Sequence, residues 1–68
     1  MRINTSFEFK NGITVDQYQD YAHDARSEFF YGLSQGFKNN AQIKATGNNG
    51  ELLIANFDDV KSIKISFD

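Results

Sequence analysis

The sequence predicts a small α+β fold, a single domain over 1–68 of order β-α-β-β-β, with an antiparallel sheet and one helix packed on one face. Three observations lead there. Ile3, Thr5, Phe7 and Phe9 alternate with polar residues near one end of the chain, and Ile63, Ile65 and Phe67 do so near the other. This is the period of a strand with one buried face. Between them Tyr18, Ala22, Ala25, Phe29 and Leu33 recur at spacings of three and four, the period of a helix with one apolar stripe. The later apolar runs are separated by short connections, which force antiparallel neighbours.

The first strand is expected over 2–10. Asn11-Gly12 breaks it, and the signals that follow read as a helix start: Thr14 and Gln17 are spaced as a capping box, and Ile13 and Tyr18 as a hydrophobic staple. The helix is expected over 15–35, ended by Gly36 in a left-handed conformation. Gly32, inside the last turn, suggests a close packing contact there. Ala41, Ile43 and Ala45 alternate with Gln42, Lys44 and Thr46 as a second strand. Gly47-Asn48-Asn49-Gly50 is a strong turn signal before a third strand from Leu52 to Phe57. Asp58-Asp59 interrupts it, and the last alternating run is the fourth strand. Strands two to four are then expected as a meander, with the first strand beside one of its open edges.

Composition narrows the function. The chain has 40% hydrophobic residues, with seven Phe and three Tyr, enough to build one core rather than remain disordered. It contains no Cys, so neither a disulfide nor a thiolate metal site is available, which fits a reducing compartment. The first residues lack the apolar run of a signal peptide, no stretch approaches a membrane span, and a cytoplasmic location is expected. A net charge of −2 argues against dominant phosphate binding, which rests on excess Lys and Arg.

Chemistry-bearing residues are sparse. The one His, His23, has only Ser27 one turn on as a neighbouring nucleophile, which makes no triad; neither a catalytic residue nor a cofactor is expected. Asp16, Asp20 and Asp24 are four apart and form a carboxylate row on the expected helix, without the loop spacing that holds calcium. No metal is assigned to them. As electrostatics the row is more informative, with four carboxylates against the single Arg26 over 15–35. Tyr31 is expected to point outward beside Asp20, Asp24 and Ser27, with Phe30 at the flank. Tyr suits an interface because it joins a large contact area to a hydrogen-bonding tip.

The third strand is apolar on both faces, and one helix covers only one of them. With Leu53, Ala55 and Phe57 toward the helix, Leu52 and Ile54 lie open; the reverse register exposes Phe57. A homodimer covering this patch is one expectation; a bulge at Asp58-Asp59 that buries both sets is the alternative. The leading functional expectation is a non-catalytic binder of another protein, a small stand-alone inhibitor or regulator of the phage or mobile-element kind. Its contact is then Asp16, Asp20, Asp24, Ser27, Phe30 and Tyr31. Alternatives are a self-assembling structural subunit and a nucleic-acid binder that projects Lys44 and Lys64 from an open sheet face.

Overall fold

A computed structural model describes all 68 residues. The elements are β1 (Arg2–Phe9), β2 (Thr14–Asp20), α1 (Arg26–Lys38), β3 (Gln42–Thr46), β4 (Leu52–Asn56), a 3-10 turn (Phe57–Asp59) and β5 (Val60–Phe67). The α+β class, the single helix and the antiparallel pairing of the strands stand as the sequence predicts. The segment 14–20 does not: it is a strand paired with β1, and the helix begins at Arg26.

Local chemistry explains the difference. Lys10-Asn11-Gly12 is a three-residue hairpin connection. The Gly12 N–H donates to the Phe9 carbonyl, the Phe9 N–H donates to that of Ile13, and Gly12 takes a φ of +87°. Asn11 supports the turn by accepting from the Ile13 N–H at 3.0 Å. Ile13, Thr14, Val15 and Tyr18 are stiff or bulky near the backbone, and fit a pleated surface better than a helix. The expected capping box and staple are absent. Thr14 Oγ1 instead accepts from the Asn48 amide at 2.9 Å, and Tyr18 lies in the open.

β1 is the central strand of a three-stranded sheet of order β2-β1-β5, while β3 and β4 form a separate two-stranded hairpin. The expected meander is therefore divided, because β5 pairs with β1 and not with β4. Phe7, Phe9 and Val15 from the three-stranded sheet meet Ile43 and Leu53 from the hairpin, with Leu33 of α1 and Phe57 packed against them. One face of the larger sheet is thus covered by helix and hairpin together, and the other is left to solvent.

Phe29 and Leu33 of α1 turn inward, with Ala25 buried at its N-cap, as their spacing predicts, and Gly36 is buried. Gly36 does not end the helix. The left-handed residue is Asn40, with φ 47°; its N–H donates to the Phe37 carbonyl, and the Ala41 N–H reaches back to that of Gly36, the bond pair of a Schellman stop. Gly36 instead lets the helix touch the Phe57 ring, since a Cβ there would lie 2.5 Å from Cζ. Gly32, where a close contact was expected, faces open space. No helix is long and apolar enough to cross a membrane.

Candidate functional site

The hydrogen-bond phase of β2 decides what this edge strand offers. Met1 and Tyr21 exchange two backbone bonds of 2.7 Å, and Phe9 pairs with Ile13, so the odd-numbered residues of β2 bond to β1. The even-numbered residues direct their N–H and C=O groups away from the sheet. One is already taken, because the Asn48 N–H donates to the Thr14 carbonyl at 2.8 Å. Asp16, Tyr18 and Asp20 remain, with free backbone groups on an edge strand.

The side chains of the same three residues share the open face, opposite Ser6, Asn4 and Arg2 of β1. Tyr18 is 68% exposed, and Arg2 Cζ stands 4.6 Å from the centre of its ring. Arg2 also donates to Asp20, from Nε at 2.9 Å and from Nη2 at 3.3 Å. Asp16 accepts from Asn48 Nδ2 at 2.9 Å. Asn4 and Ser6 of β1 lie between Asp16 and Tyr18 of β2 on one side and Lys64 and Ser66 of β5 on the other, around a groove of about 490 Å³ across the face.

Hydrogen bonds keep these carboxylates ionised. The Ser6 hydroxyl and then the Asn48 amide hold Asp16 below the usual carboxylate range, and Arg2 does the same for Asp20. Asp24 is lowered furthest, from 3.8 to about 2, by the Arg26 guanidinium and then by the Arg26 backbone N–H. Carboxyls depressed in the folded state stabilise it above their unfolded pKa, and that contribution is lost as pH falls through the folded value. The urea midpoint should therefore decline as pH drops from about 4 to about 2. Arg26→Gln should remove part of that decline; the same variant leaving the pH profile unchanged would contradict the pairing. All three carboxylates are exposed, so the effect is modest.

The expected acidic helix row is dispersed. Asp16 and Asp20 are on β2, Asp24 lies in the connection paired with Arg26, and Ser27, Phe30 and Tyr31 are on α1, which covers the opposite face of the sheet. Tyr31 is exposed as expected, but it does not join Asp20; Phe30 packs edge-on to Phe67, with ring centres 6.0 Å apart. His23 Nε2 lies 2.9 Å from Glu28 Oε1, so its neighbour is that carboxylate and not Ser27.

The remaining patches also resolve. Leu52 and Ile54 are 63% and 56% exposed, beside Thr46 and Lys44 on the outer side of the hairpin. Phe57 turns inward against Phe37 and Phe7, so of the two registers weighed from sequence the first is adopted. Asp58-Asp59 forms no bulge. The Asp59 carboxylate accepts from the Asn56 N–H at 2.9 Å in a tight turn that carries the chain from the hairpin to the larger sheet. Lys44 and Lys64 do not share a face, since they lie on different sheets.

Sequence alternation failed to mark the β2 site because only Val15 of that strand is buried. The usable signal was Asn11-Gly12, whose preference for hairpins competes directly with a helix start. No protein-family model, curated protein sequence or solved structure matches this chain.

Proposed function

We propose that this chain is a non-catalytic protein-binding domain that takes an extended, basic segment of another protein along β2, and acts as a small inhibitor or regulator of that partner. The observation that supports this is the coincidence of free backbone groups, two ionised carboxylates and a two-thirds exposed tyrosine on Asp16, Tyr18 and Asp20. An added strand satisfies the edge through main-chain bonds, and side chains on alternate positions supply specificity. Here those positions are acidic, aromatic and acidic, and the groove beside them accepts a side chain that crosses the face.

The reading is tested by titrating the isotopically labelled protein with an extended peptide of alternating Lys and Val. Amide shifts should concentrate on Asp16 to Asp20 and disappear in Asp16→Lys/Asp20→Lys. Charge reversal at two rim positions should weaken binding by on the order of tenfold or more at low salt, and less at high salt. Shifts that map to Leu52 and Ile54 and persist in the variant would place the binding face on the hairpin and overturn the proposal.

A further inference from the structure

The far edge of the same sheet has a different character. Arg2 and Asp68 exchange backbone bonds of 3.1 and 2.9 Å, so the even-numbered residues of β5 bond to β1. Ile63, Ile65 and Phe67 therefore direct their N–H and C=O groups outward. Their side chains line the core side of the edge, where Phe67 is 39% exposed and continues onto exposed Phe30. Ser62, Lys64, Ser66 and Asp68 line the other side, so the edge is apolar below and polar above.

We infer that two copies of this chain pair antiparallel through β5, with a two-fold axis at Ile65, and join their sheets into one of six strands. A two-fold axis perpendicular to the sheet keeps each face on its own side, so only registers that match odd with odd positions are allowed. Centred on Ile65, all three outward residues find partners: Ile65 meets its own copy, and Ile63 meets Phe67 of the second copy. On the polar side Lys64 stands opposite Ser66 of the second copy, with Asp68 of that copy on one diagonal and its Lys64 on the other, both within reach of a lysine side chain. By symmetry the Lys64–Asp68 pair occurs twice and the Lys64–Lys64 approach once, so opposite charges outnumber like charges along the edge. Moving the axis to Lys64 would set two ammonium groups directly opposite each other. The β2 edge lacks this property, because self-pairing centred on Tyr18 would oppose Asp16 and Asp20, and Asn48 already occupies Thr14.

The test is sedimentation equilibrium of the full chain from micromolar to millimolar concentration. Wild type should show a monomer–dimer equilibrium. Lys64→Asp and Asp68→Lys should each weaken it by on the order of tenfold, and the double variant Lys64→Asp/Asp68→Lys should restore it to within a few-fold of wild type. Ile65→Pro removes an outward N–H that the monomer does not use and should abolish the dimer. Wild type that stays monomeric throughout, or a dimer indifferent to both single charge reversals, would overturn the inference. So would a dimer lost in Leu52→Ser/Ile54→Ser but kept in Lys64→Asp.

Discussion

Phe9→Ala should leave the chain largely unfolded at room temperature. Phe9 is 1% exposed and sits at the centre of the only layer boundary, stacked on Phe7 at 6.3 Å and clustered with Val15, Ile43 and Leu53. Truncating a buried Phe costs about 3–5 kcal/mol in lost transfer energy and residual cavity. A core of this size rarely supplies more than about 3–5 kcal/mol in total. The two figures are equal, so the folded population should collapse. Circular dichroism and a collapsed amide spectrum would report it. Leu52→Ala is the contrast, because a residue 63% exposed should shift stability by no more than about 0.5 kcal/mol. If Phe9→Ala kept a dispersed amide spectrum and a cooperative unfolding transition, the two-layer core would be wrongly assigned.

Two glycines one turn apart on α1 should respond to alanine with opposite signs. In an open helix position the exchange stabilises by about 1 kcal/mol through backbone entropy. Gly32 has nothing within 4 Å of the added Cβ and should show that gain. At Gly36 the new Cβ would stand 2.5 to 2.8 Å from three atoms of the Phe57 ring. That ring is held by Phe37, with centres 4.9 Å apart, and by Phe7 at 6.3 Å, so it has little room to retreat. Overpacking of this kind costs about 1–3 kcal/mol, which outweighs the helix gain. Gly36→Ala should therefore destabilise, and in a Phe57→Leu background the penalty should shrink or reverse. Urea unfolding of the four variants measures the coupling; additive effects would show that ring and helix do not meet.

The two glycines also show where the sequence was readable. The inward stripe of Phe29 and Leu33 on α1, with Ala25 at its N-cap, was legible, because a helix face is fixed by local spacing. So was the buried face of β1, since alternation needs only the strand itself. The run Leu52 to Phe57, apolar on both faces, left two registers open, and only the packing of Phe57 selects the one that exposes Leu52 and Ile54. Which glycine is pressed by a neighbour was not legible, because the Phe57 ring arrives from twenty-one positions further along the chain. β2 failed for a related reason. Its local pattern satisfies a helix period, and what makes it a strand is the long apolar face of β1 that it flanks. The candidate site inherits this. Asp16 and Asp20 were singled out by charge, but Tyr18 was assigned to a helix core, and the free edge exists only once the order β2-β1-β5 is known.

Docking of another protein on β2 is the proposed role of this edge. Its most direct test is capture from a lysate treated with nuclease, run in parallel with wild type, Asp16→Lys/Asp20→Lys and Leu52→Ser/Ile54→Ser. One protein should be retained by wild type and by the hairpin variant, lost with the charge-reversed edge, and displaced by the Lys-Val peptide. A protein retained by the charge-reversed edge and lost with Leu52→Ser/Ile54→Ser would contradict docking on β2 and place recognition on the hairpin.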